Sequence, residues 1–141
     1  GLVSELTSVM QLTETDMTIL FRTLSTIQGP DSNHLARAFY KEEEIPQNEW
    51  NSWLDRWWDR VDGRPARESM LNANPKYVLR NWMAQLAIDA AEKEDYSVAT
   101  ALYEMLKKPY DEQPGNEEKW FSRRPEWARN RVGCSMLSCS S

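Results

Sequence analysis

The sequence predicts an all-α fold: an irregular multi-helix domain of about six or seven helices, closed by a non-regular C-terminal tail. Three observations predict it. Apolar residues recur at three- and four-residue intervals along most of the chain, which is the period of one helical face. Asp, Asn, Pro and Gly stand where such stretches should begin and end. No segment alternates apolar and polar residues as a half-buried strand would.

Leu2, Val3, Leu6, Val9 and Met10 give an opening helix. Asp16 is placed to cap a second, from Met17 to about Thr26, with Ile19, Leu20 and Leu24 on its apolar side. Gly29-Pro30-Asp31 breaks the pattern, and Asp31 or Ser32 starts a short helix through Phe39. Pro46 suits the first turn of the next helix. There Trp50, Trp53, Leu54, Trp57, Trp58 and Val61 form one stripe, with Glu49, Asp55, Arg56, Asp59 and Arg60 mostly opposite. Asp62-Gly63 ends it, and Pro65 begins another short helix through Leu71. Asn74-Pro75 reads as cap and first helical residue of a long helix through Tyr77, Val78, Trp82, Met83, Leu86, Ala87, Ala90 and Ala91. Asp95 caps a further helix that turns Val98, Ala101, Leu102, Met105 and Leu106 inward. Pro109 and the loop Tyr110 to Gly115 stop it. Trp120-Phe121, one turn from Pro125 to Asn130 and an irregular tail complete the chain.

With 141 residues, of which 40% are apolar and 28% charged, the chain is long enough for one domain with its own core. No apolar run approaches the roughly 20 residues of a membrane span. Two cysteines do not make a disulfide framework, so the expected setting is reducing and cytoplasmic. The net charge of −5 is unevenly spread: Lys119, Arg123, Arg124, Arg129 and Arg131 against Glu126 make the end +4, leaving −9 on the rest. Such an end is a solvated basic tail, or a surface that docks on acidic groups or near nucleotide phosphates.

Most catalytic patterns are missing. The five glycines are scattered and form no phosphate loop. A single His34 cannot build a multi-histidine zinc site and reads as a surface residue. Glu42-Glu43-Glu44 is a solvated run, because consecutive carboxylates do not converge on one cation. No serine has a recognisable His and Asp arrangement. The tryptophans from Trp50 to Trp58 suit either an aromatic platform or a helix core, and the three-four spacing favours core. Truncating Trp53 or Trp57 to alanine is then expected to cost about 3–5 kcal/mol. Cys134 and Cys139 lack the Cys-x-x-Cys spacing of a redox helix start. Two free thiols, a disulfide from Cys139 to a cysteine elsewhere, and a Cys134–Cys139 disulfide all remain open. The chain begins at Gly1 within an apolar-patterned stretch, without initiator Met or signal peptide, which suggests the C-terminal part of a longer protein.

Several segments resemble the C-terminal region of the selenoprotein O family. They are Asp16-Met17-Thr18-Ile19-Leu20-Phe21-Arg22-Thr23-Leu24, Asn74-Pro75-Lys76-Tyr77-Val78-Leu79-Arg80-Asn81-Trp82-Met83-Ala84-Gln85, Ala87-Ile88-Asp89-Ala90-Ala91-Glu92-Lys93, Pro109-Tyr110, Arg124-Pro125-Glu126-Trp127-Ala128 and Ser138-Cys139-Ser140-Ser141. The Asn-Pro to Asn-Trp block and the closing tail are the specific parts. The resemblance implies a kinase-like parent that transfers AMP from ATP to hydroxyl side chains of other proteins, with a divalent metal such as Mg or Mn. It places the nucleotide, the metal and the catalytic residues upstream, so none of them falls in this chain. Residues 1–131 are then the helical C-terminal domain and residues 132–141 a flexible redox tail. Cys139 sits third from the end, where many animal members carry selenocysteine and most bacterial ones cysteine, so a bacterial-type origin is implied. The family picture gives it a disulfide with a cysteine of the kinase-like portion; Cys134 has no family role. The expected partners are that kinase-like domain and the parent's protein substrates, not nucleic acid or membrane. A self-contained helical interaction module without catalysis is the competing reading.

Overall fold

A computed structural model describes residues 1–134. Among them are seven α-helices, three 3₁₀ segments and a single isolated bridge between Thr15 and Phe39. The all-α expectation holds. The described chain divides into two compact units, Gly1–Asn74 and Pro75 onward.

The first unit holds α1 (Leu2–Met10), α2 (Met17–Leu24), α3 (Gln47–Arg60) and α4 (Arg67–Ala73), with 3₁₀ segments at Ser32–Ala38 and Glu42–Glu44. Asp16 caps α2 as its sequence position predicts, its carboxylate accepting from the Ile19 amide at 2.9 Å. Ile19, Leu20 and Leu24 pack with Leu35, Ala38, Phe39, Trp50, Trp53 and Leu54 in the core. Two arginines join α2 to α4. The buried Arg22 donates to the carbonyls of Leu71 and Asn74 at the end of α4, where the helix leaves acceptors unsatisfied. Arg67 donates back to the Ile27 carbonyl at 2.7 Å. The helix expected to start at Pro65 starts at Arg67, while Pro65 itself is buried ahead of it. The turn that ends α3 uses positive φ at Asp62 and Gly63. A Cβ on Gly63 would stand 3.3 Å from the Trp58 indole nitrogen, so glycine suits this turn.

The second unit holds α5 (Asn81–Ala91), α6 (Ser97–Leu106), α7 (Pro114–Trp120) and a 3₁₀ turn at Glu126–Ala128. Here the sequence expectation needs four corrections. The Asn74-Pro75 start signal does not open a helix: α5 begins at Asn81, and residues 75–80 are not helical. Proline pushes Asn74 into the extended region (φ −120°, ψ 99°). The Asn74 side-chain amide donates back to the Met70 carbonyl at 2.8 Å, and the amides of Lys76 and Tyr77, which such a helix start would leave for its cap, both turn to the Pro109 carbonyl. The loop after Pro109 is interrupted by α7, whose Pro114 occupies the first helical position. Ala101 is exposed rather than inward; only Leu102 and Met105 of α6 are fully buried. Asp95 is not the cap residue of α6, which is Tyr96; it stands one residue earlier and accepts from the Ser97 amide at 2.9 Å and the Ser97 hydroxyl at 2.6 Å. Gln113, at φ 42°, donates its side-chain amide to the Met105 and Lys108 carbonyls and closes the other end.

Candidate functional site

Cys139 and the rest of 135–141 lie outside the described residues, so the thiol singled out by the sequence has no geometry here. Cys134 does. It is fully buried, with its thiol 3.9 Å from the Asn81 carbonyl at the start of α5. The segment that carries it is latched to α5. Arg131 donates to both carboxylate oxygens of Asp89, at 2.7 and 2.8 Å, the fork geometry that makes such pairs directional. The hydrogen bonds from Arg131, and then from Gln85, hold the Asp89 carboxyl below its ordinary range. Burial therefore continues past the 131/132 boundary drawn from sequence, because Cys134 is apolar enough to plug the helix start.

The basic end is no uniform solvated patch. Arg124 is buried, Arg131 is paired with Asp89, and Arg129 lies 3.5 Å from Glu126. Lys119 sits over the Trp120 ring, 4.7 Å from its centroid. Sequence reasoning missed Lys76, whose side chain is 3% exposed. Its ammonium donates to Glu112 at 2.7 Å and Glu117 at 2.6 Å, and stands over the Phe121 ring. Burial opposes that charge, but the two carboxylates outweigh it and raise the pKa above 10.5. The only sequence signal for it was its place in the Asn74 to Gln85 block.

The tryptophan helix splits along its length. Trp50 and Trp53 are core, as the spacing predicts, whereas Trp57 and Trp58 are half-buried. Trp53 stacks on Trp57 with centroids 5.8 Å apart and donates its indole N–H to the Leu2 carbonyl at 2.9 Å. That bond fixes the start of α1 on α3. A groove of about 830 Å³ opens beside it, lined by Leu2, Val3, Leu6, Trp53, Trp57 and Val61. The other side of α1 is polar, with Ser4, Ser8, Asn48 and Ser52 around a Glu5–Arg56 ion pair.

His34 and Glu42 to Glu44 are exposed. Among the described residues no three His, Cys, Asp or Glu side chains come together as a metal site. The apolar groove of α1 and α3 is lined by no Asp, Glu, His or Cys, so that groove does not fit ATP with its metal. No described helix is long and apolar enough to cross a membrane.

No family model matches the chain. Curated relatives do. The protein nucleotidyltransferase YdiU of Flavobacterium johnsoniae is 52% identical over 153 residues, covering 99% of this chain and 29% of that protein. Its namesakes in Rhodopirellula baltica and Aromatoleum aromaticum are each 45% identical over 99% of the chain, and 30% and 28% of their own lengths are covered. All three relatives carry the name protein nucleotidyltransferase, and this all-α chain spans about three tenths of their length. The chain belongs to the selenoprotein O family, as the resemblance of its segments to the C-terminal region of that family implied.

Proposed function

We propose that this chain is the helical C-terminal part of a protein nucleotidyltransferase, a scaffold for a kinase-like portion that lies upstream. The intact protein would transfer AMP from ATP to Ser, Thr or Tyr hydroxyls of cytoplasmic proteins, with pyrophosphate as the leaving group and Mg or Mn as the metal. ATP, metal and catalytic side chains belong in this reading to the upstream portion. Cys139 is assigned a redox role that tunes that activity.

One observation carries the reading: relatives named protein nucleotidyltransferase align with 99% of this chain, yet it spans only about three tenths of each. A module evolving as an independent unit would not need to keep such likeness end to end with one part of a longer enzyme.

The test is complementation. The upstream portion, expressed separately, is assayed for transfer of labelled AMP from ATP to a protein acceptor, with and without this chain. Formation of a complex and a gain in transfer are expected. Unchanged transfer together with no complex would leave the self-contained interaction module as the better reading.

A further inference from the structure

We propose that the apolar side of the α1–α3 groove is the seat of the polypeptide that precedes Gly1 in the intact protein. The proposal rests on the reading above, in which the nucleotide-handling portion lies upstream, and it names the surface by which that portion is held.

The first observation is an imbalance within α1. Its stripe of Leu2, Val3, Leu6, Val9 and Met10 is the pattern of a core-facing helix, yet none of its residues is fully buried. Val3 is 79% exposed. A helix of nine residues is too short to persist on propensity alone and draws its stability from packing. Here Leu2, Leu6, Val9 and Met10 are only half-buried and Val3 stands exposed.

The second observation is chemical. The two sides of α1 differ sharply. The side toward Trp57 and Val61 is apolar apart from Ser4, and the opposite side carries Ser8, Asn48, Ser52 and the Glu5–Arg56 pair beside Val9. An incoming segment therefore gains more by burying apolar surface on the Trp57 side. Trp57 already presents a half-buried ring there, held flat against Trp53. Arg60, at the rim of the groove, favours a carboxylate in the occupant.

The third observation selects the occupant. Some 70% of each relative's length lies outside the matched region. Gly1 lies where this groove meets the charged rim of Glu5, Arg56, Asp59 and Arg60, so chain joined to it emerges at the edge of the apolar surface. Such a covalent tether sets an effective concentration in the millimolar range, well above that of a second copy or an unrelated partner.

The test uses the intact protein and hydrogen exchange of the α1 amides, and does not read nucleotide transfer. Two variants introduce the same uncharged residue on opposite sides of α1: Val3→Gln toward the groove and Ser8→Gln toward the polar side. Glutamine is a better helix former than valine, so Val3→Gln in an open groove should not speed exchange. If upstream chain covers the groove, Val3→Gln speeds α1 exchange about tenfold while Ser8→Gln stays within about twofold. Equal effects, or none, would overturn the proposal. So would a Val3→Gln effect that depends on protein concentration and converts a dimer to a monomer by light scattering, because the occupant would then be a second copy. Loss of nucleotide transfer with the exchange pattern intact would count against the activity alone.

Discussion

Replacing Trp53 by alanine probes how the first unit is held together. The indole is 4% exposed, meets Trp50 edge-on at 6.2 Å and stacks on Trp57 at 5.8 Å. It also donates to the Leu2 carbonyl. Truncating a core tryptophan costs about 3–5 kcal/mol. Losing the hydrogen bond adds no more than about 1 kcal/mol, because the Leu2 carbonyl at the helix start can turn to water. A total near 4 kcal/mol, with a urea dependence of about 1.5 kcal/mol/M for a unit this small, lowers the midpoint by about 2.5 M. Trp53→Phe keeps most of the ring and loses the N–H, so its shift should be about 1 M. Trp57→Ala should fall near that smaller value rather than the full core cost expected from sequence, since its ring is half-buried. Urea unfolding followed by far-ultraviolet circular dichroism reads all three without relying on the altered fluorophores. Equal shifts for Trp53→Ala and Trp57→Ala would refute the division of the tryptophan helix into core and groove.

Three further predictions concern the second unit and the tail. Lys76→Met should stay within about 1 kcal/mol of the parent at neutral pH, because Glu112 and Glu117 are exposed enough to turn to water, while Lys76→Ala should lose about 2 kcal/mol or more; equal losses would contradict a packed stem. The folded-state pKa of Lys76 lies above 10.5, so its stabilisation is complete below that value and is lost as pH climbs through the folded pKa; alkaline unfolding curves that coincide for parent and Lys76→Met would argue against it. In a Cys139→Ser background, Asp89→Asn should speed modification of Cys134 by a disulfide reagent about threefold, since an exposed ion pair restrains the segment only modestly. The Asp89 pKa is depressed, so the latch is complete above the ordinary carboxylate range and is lost as pH falls through the lowered value; an unchanged modification rate in the variant would remove its role. Cys139→Ser in the intact protein should abolish any difference in AMP transfer between oxidised and reduced samples, and a persisting difference would exclude this thiol as its cause.

The sequence by itself determined the helical class, the positions of α1, α2, α3 and α6, and the family. These are properties of local chemistry and of extended likeness. Asp16 and Asp95 hydrogen-bond amides within three residues, and the Trp50 to Leu54 turn repeats at the helical period, so a one-dimensional pattern contains the whole cause. Only the tertiary structure decided the rest. Asn74-Pro75 carries the same local signal as a true helix start, but the Asn74 side chain is held by the Met70 carbonyl, the Lys76 and Tyr77 amides are capped by the distant Pro109 carbonyl, and the helix begins only at Asn81. Ala101 and Trp57 fit their stripes, yet which part of a stripe is buried depends on how wide a neighbour lies against it. Lys76 and Arg22 look like surface cations in one dimension and become buried ones only when Glu112, Glu117, Leu71 and Asn74 converge on them. Burial and ion pairing are pairwise facts between residues far apart in the chain, and no window along the sequence contains both members.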